Sequence, residues 1–226
     1  ELAPLSLMSS ITRERLDTDE KGLFAIKAIT ESACKRIARF AFELAGKRQR
    51  KRGTKGLVTC TSKYNMLRKS DGLFRQIAEK TSKEYPRIGY EEYIVDDFAR
   101  RLVASPDQFD VVVMPNLYGD ILSDVAAGTI GGLGLAPSGC YGDDYAYFES
   151  VHGSAPDIAG QNIINPTATL LSAALLLEYI GYPGEAQQLE DAIARLYAEG
   201  KYLPRDQGGE TGTKAFCAEV HRLIFK

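Results

Sequence analysis

The chain has 226 residues, 44% of them apolar and 26% charged, with a formal net charge of −2. That length is long for one compact domain and short for two, and the charge gives no general attraction to nucleic acid or to a membrane surface. Four cysteines (Cys34, Cys60, Cys140, Cys217) stand without CxxC or CxH spacing, which predicts free thiols in a reducing, cytoplasmic setting and argues against a disulfide frame or a zinc site.

In chain order, residues 1–25 are mixed and weakly periodic. The chain begins "ELAPLSLMSS" without an initiator Met or a recognisable signal segment, as a fragment or a processed product would. A helix is predicted from Glu31, where Ile37, Phe40, Ala41 and Leu44 fall at i, i+3, i+4 and i+7. "KRQRKRGTK" follows, with six basic residues in nine. Lacking interleaved aromatics, it reads as a solvated helix–strand loop and not a nucleic-acid site. "GLVTCTS" is β-rich, and "GLFRQIAEKTSKEY" is helical. "YIVDDFARRLV" predicts a helix with Val95, Phe98, Ala99 and Leu102 on one face, closing at Ser105–Pro106.

"FDVVVMP" is short, continuous and β-branched, as a central parallel strand covered on both faces would be. A helix is expected from Gly119, then the glycine-rich "GTIGGLGLAPSG" and a loop carrying "FESVHGSAPDIAGQNIINP". "TATLLSAALLLEYIGY", interrupted by Glu178, falls short of the ~20 apolar residues a bilayer span needs and reads as a core helix. An amphipathic helix, "EAQQLEDAIARLYAEG", and a last helix after Thr213 complete the chain. Strands alternating with helices predict an α/β fold, and the shift in composition near Gly131 marks the candidate domain boundary.

Asp120 and Asp124 are i and i+4, so both carboxylates leave one helix face just past a strand's C-terminal end, where α/β sheets collect ligands. Hard oxygen donors there suit Mg²⁺ or Mn²⁺. The plainer account is that acids in a first helical turn favour the helix dipole, and spacing alone prefers it.

Two blocks change that balance. "DVVVMPNLYGDILSDVAAGTIGGLGLAPSG" followed by "FESVHGSAPDIAGQNIINPTATLLSAALLLEYIG" resembles the isocitrate/isopropylmalate dehydrogenase family, and "RIARFAFELA" and "TSKYN" extend the likeness over roughly residues 28–220. The resemblance implies an isopropylmalate-dehydrogenase-like two-domain α/β fold without the N-terminal part of the large domain. Residues 1–130 would form most of the small, dimer-forming domain, and 131–226 the C-terminal part of the cofactor domain.

The resemblance also implies NAD- and Mg²⁺/Mn²⁺-assisted oxidation of a small 2-hydroxy di- or tricarboxylate with loss of its β-carboxylate, in a homodimer or larger homo-oligomer that shares its active sites. Asp120 and Asp124 match the metal aspartates. A third aspartate, Asp96 in preference to Asp97, would serve the partner subunit's site. Lys63 matches the lysine that acts as general base in the neighbouring site, with Asn65 close to the cofactor.

"VHGSAPDIAG" would be the cofactor loop, with His152, Gly153, Ser154, Ala155 and Ile158 facing the dinucleotide and Asn165 approaching the adenine. A carboxylate at Asp157 accepts hydrogen bonds from ribose hydroxyls and repels a 2′-phosphate, which predicts NAD over NADP. "GTIGGLGLAP" lacks the strand–GxGxxG–helix order of a Rossmann loop and reads as a turn into the second domain. The family's upstream arginine cluster and tyrosine find no match, since no tyrosine precedes Tyr64. The alternative is therefore a truncated or regulatory-type subunit with no activity of its own. Substrate choice among isocitrate, 3-isopropylmalate, homoisocitrate, tartrate and D-malate is not written in these residues.

Overall fold

The computed structural model describes residues 3–5, 18–22, 26–53 and 55–225. By internal contacts the chain divides into two compact units. One is Glu1–Ile94 with Val111–Val113; the other is Val95–Asp110 with Met114–Lys226. The 130/131 boundary expected from composition falls within the second unit.

The first unit opens with strands β1 (Ala3–Leu5) and β2 (Thr18–Gly22), which pair antiparallel. Helix α1 (Glu31–Arg52) starts where the Thr30 hydroxyl accepts from Ala33 N–H, and stops at Gly53, whose φ of 67° is left-handed. The helix therefore runs through most of the basic run, which is its last turns and not a loop. Lys and Arg are good helix formers, and their charge is favourable at a helix C-terminus.

Its buried face also differs from expectation. Cys34, Ala38, Ala41, Phe42 and Ala45 are buried, while Ile37 and Leu44 are exposed. Small side chains let the helix lie close on a β-branched sheet, so the alanine row wins over the larger apolar row.

That sheet is parallel, with order β4-β3-β5, built from β3 (Leu57–Ser62), β4 (Gly89–Ile94) and β5 (Val111–Val113). Helix α2 (Ser70–Ser82) connects β3 to β4. Among the described residues β5 pairs only with β3, so "VVV" is an edge strand and β3 is the centre. Strand β4 also takes Tyr93 and Ile94 out of the predicted third helix. Its glutamates are paid for by partners: Thr59 donates to Glu91 at 2.7 Å, and Glu92 accepts from Tyr90 at 2.8 Å and from Arg75. Phe42 stacks on Tyr85, with ring centroids 5.2 Å apart, within the core between α1 and the sheet.

The second unit contains α3 (Val95–Ala104) and α4 (Asn116–Thr129), which pack together, the hairpin β6 (Pro137–Tyr141) and β7 (Ala146–Ser150), and the helices α5 (Thr167–Tyr179), α6 (Pro183–Glu199) and α7 (Thr213–Ile224). Neither strand of the hairpin was expected. Ser172 of α5 secures it, donating to Glu149 O at 2.7 Å and accepting from Ser138 N–H at 3.3 Å. Ala174, Leu189, Ile193, Leu196, Phe216 and Val220 form the core of α5, α6 and α7. Among the described residues no helix is long and apolar enough to cross a membrane.

All four cysteines are free; Cys34 and Cys60 are buried and Cys140 is exposed. Burial pushes the Cys60 thiol up to about 12 from an ordinary 9.0. The folded state thus holds that proton more tightly than the unfolded one. Its stabilising contribution is complete below about pH 9 and is lost as pH rises toward 12. Alkylation of the native chain near neutral pH should modify Cys140 first and Cys60 only on unfolding, and the urea midpoint should fall as pH is raised above about 9. Equal labelling rates for Cys60 and Cys140 would contradict this burial.

Candidate functional site

Helix α4 begins at Asn116, with Pro115 as its cap, three residues before the Gly119 start expected from sequence. Proline's fixed φ and missing N–H suit a helix start. The shift matters because the first turn then holds no acid, and Asp120 and Asp124 lie in later turns. Stabilisation of the dipole, which falls off within the first turn, therefore does not account for them. Both are exposed, on one face, and neither has an ion-pair partner among the described residues. Ile121 and Leu117, 55% and 59% exposed, and Val125 flank them at i, i+4 and i+8.

On α3 the two candidate acids differ. Asp97 is held by Arg101 (2.6 Å) and Arg100 (2.7 Å), which lower its pKa in that order. Asp96, its neighbour on the helix, is exposed. Among the described residues no three His, Cys, Asp or Glu side chains gather as a metal cluster, so Asp120 and Asp124 are a two-carboxylate set. In chemistry that set fits a hard divalent cation.

In the first unit, Lys63 is half-buried in the turn after β3, where its carbonyl accepts from Met66 N–H (3.0 Å) and Leu67 N–H (2.9 Å). Asn65, next in that turn but one, is exposed.

The second unit has a cavity of about 420 Å³ that gathers five of the seven expected cofactor residues: His152, Gly153, Ala155, Ile158 and Asn165. Ser154 and Asp157 are exposed and do not line it. Gly134, Ile163, Ile164, Arg205 and Asp206 complete the wall, and sequence reasoning missed all five. An acid beside Gly208–Gly209 is too common a pattern to flag Asp206, which reaches the cavity only by folding.

The loop is held in an uncommon conformation. Ala155 has φ 44°, ψ 61°, left-handed and directly before Pro156, where the preceding residue normally stays extended. Its neighbour His152 has Nδ1 2.9 Å from Gly153 O, which assigns the ring proton to Nδ1. Nε2 is then a buried acceptor with no partner among the described residues.

Asn165, by contrast, is fully engaged. Its amide donates to Asp206 (3.0 Å) and to Tyr197 Oη (3.2 Å), and its carbonyl accepts from Thr167 N–H (3.0 Å) at the start of α5. Asp206 also accepts from Gln207 at 3.1 Å. The side chain of Asn165 thus fixes the wall, and what it turns to the cavity is limited by those bonds. A pocket with a flat apolar side (Ile158, Ile163, Ile164), an unanswered ring nitrogen and a held carboxylate fits an adenosine-like group.

The profile of the family described as isocitrate/isopropylmalate dehydrogenase matches residues 9–224. A protein of Methanocaldococcus jannaschii named 3-isopropylmalate/3-methylmalate dehydrogenase is 50% identical over 208 residues, covering 92% of this chain and 62% of that protein. A Caenorhabditis elegans protein named probable isocitrate dehydrogenase [NAD] subunit alpha, mitochondrial, is 47% identical, covering 87% of this chain and 53% of that protein. The crystal structure of isocitrate dehydrogenase from Methylococcus capsulatus superposes with a TM-score of 0.82 at 37% identity, covering 98% of this chain and 63% of that one. The chain thus spans somewhat more than half the length of these relatives, and it belongs to the isocitrate/isopropylmalate dehydrogenase family.

Proposed function

We propose that the intact protein is an NAD-dependent decarboxylating dehydrogenase, assisted by Mg²⁺ or Mn²⁺, acting on a small 2-hydroxy acid of the 3-isopropylmalate or isocitrate class. The observation that carries this reading is the cavity around His152, whose Nε2 is buried and unanswered among residues that suit a nucleoside. In the same reading residues 1–130 form most of a dimer-forming domain, 131–226 the C-terminal part of the cofactor domain, and the protein is cytoplasmic, a proposal that the four free thiols support.

The side chains divide the work as follows. His152 Nε2 accepts a hydrogen bond from the adenosine part of the cofactor, and Gly153, Ser154 and Ala155 offer backbone donors beside it. Ile158 forms an apolar wall for the base, with Asn165 holding Asp206 in place. Asp157 accepts from ribose hydroxyls and disfavours a 2′-phosphate. NAD, when bound, supplies the hydride acceptor.

Asp120 and Asp124 hold the divalent cation together with Asp96 of the partner subunit, and the cation supplies Lewis-acid polarisation of the substrate oxygens. The substrate hydroxyl must shed its proton as hydride departs, and Lys63 of the partner subunit accepts it at Nζ. Sharing of this kind needs a second copy, and the exposed Leu117, Ile121 and Val125 beside the carboxylates are an apolar face that such a copy would cover. A truncated or regulatory-type subunit without activity of its own is the competing reading; the presence of Lys63, Asp96, Asp120 and Asp124 counts against a decayed regulatory subunit but not against a truncated product.

Turnover is read as NADH absorbance with Mn²⁺ and each of isocitrate, 3-isopropylmalate, homoisocitrate, tartrate and D-malate. The intact protein should reduce NAD, and NADP far less, with at least one acid; no turnover with any would favour the non-catalytic subunit. Replacing His152 by Phe keeps a flat ring and removes the acceptor, so KM for NAD should rise about tenfold, the worth of one hydrogen bond to a buried group. An unchanged KM would remove His152 from the cofactor site.

A further inference from the structure

Asp71 stands out in the first unit. Its side chain is completely buried, yet it is a carboxylate on the first turn of α2. Both oxygens are answered. Oδ1 accepts from Lys27 Nζ at 2.6 Å, and Oδ2 accepts from the backbone N–H of Lys63 at 2.9 Å. Ser62 donates to the Asp71 carbonyl at 3.4 Å, which ties the end of β3 to the same point. One helical turn further along α2, the Arg75 guanidinium lies 4.8 Å from the centre of the Tyr64 ring and is itself held by Glu92.

Asp71 and Arg75, at i and i+4, therefore grip two consecutive residues of the turn after β3, one through its backbone and one through its ring. A charge buried this deeply is costly unless paired; here Lys27 pairs one oxygen and the Lys63 peptide N–H donates to the other.

We infer that Asp71, bridged to Lys27, is the positioning residue for Lys63: it fixes the backbone from which the Lys63 ammonium projects. The inference rests on the reading of Lys63 as the general base. Asp71 touches no reacting atom, and its effect is geometric. A general base must sit within hydrogen-bond reach of the proton it takes, so a small displacement of its backbone is felt in the chemical step more than in binding.

The test uses the intact protein. Asp71→Asn keeps the shape and removes the charge that holds Lys27. It should lower kcat on the order of 10²-fold, with KM for NAD and for the acid nearly unchanged. The rate of reductive methylation of Lys63, read by peptide mapping in the folded protein, should change severalfold while that of lysines other than Lys63 and Lys27 stays as it was. Lys27→Met should reproduce the loss and Lys27→Arg, which keeps the pair, should largely restore kcat.

If Asp71→Asn does not fold, the Lys27 variants decide alone: equal kcat for Met and Arg would overturn the inference. A folded Asp71→Asn protein with wild-type kcat and unaltered Lys63 methylation would also overturn it. Lys63→Met separates the two levels. If that variant keeps wild-type turnover, the general-base reading fails; if it is inactive while Asp71→Asn is normal, only the positioning role fails.

Discussion

Asp120 and Asp124 repel each other. Like charges at i and i+4 on a helix cost roughly 0.2–0.5 kcal/mol, and the start of α4 at Asn116 puts them beyond the turn where the dipole would compensate. No ion pair among the described residues relieves them, and the apolar side chains around them face outward. In the proposed function a divalent cation answers the charge repulsion, and a second copy of the chain covers the exposed apolar side chains. The proposed chemistry follows from that joint requirement.

The second unit meets a different constraint, which is to hold an irregular loop still. Ala155 sits in a left-handed conformation before a proline, and such positions persist only where their surroundings over-determine them. Here the surroundings are polar. Asn165 spends both N–H groups and its carbonyl on Asp206, Tyr197 and Thr167. Asn162, also left-handed, supplies its carbonyl and side-chain oxygen to Thr213 N–H and Lys214 N–H, and so caps α7 from outside that helix. The loop that carries His152 is anchored to three helices, α5, α6 and α7, by hydrogen bonds, and the ring's Nε2 has no partner among the described residues.

How far this was legible in the sequence depended on whether a residue's partner lies nearby in the chain. Helices α1 and α5 were readable because periodicity and length are local properties. The face α1 buries was not, because close approach to a sheet favours Ala38, Ala41 and Ala45 over Ile37 and Leu44, and only the packed structure reveals that approach. Strand β4 was hidden by Glu91 and Glu92, which look unfit for a sheet until Thr59, Tyr90 and Arg75 are seen to meet them. The hairpin β6–β7 was hidden by Pro137 and Gly139. In the candidate site, Asp120 and Asp124 were visible as a spacing and His152 as part of a motif. Asp206 was not, being 41 residues from the Asn165 amide that holds it, and Asp71 drew no notice because an acid at a helix start is ordinary until its burial is known.

The central claim is that one functional site is assembled from two copies, with Asp120 from one and Lys63 from the other. Mixing inactive variants tests it most directly. Lys63→Met and Asp120→Asn proteins, each without turnover, are denatured together, refolded and assayed as a mixture. In a mixed dimer one of the two sites receives both native residues, so random pairing should restore about a quarter of wild-type activity. If Lys63 and Asp120 served the same site from the same copy, every mixed dimer would contain two defective sites, and the mixture would stay inactive.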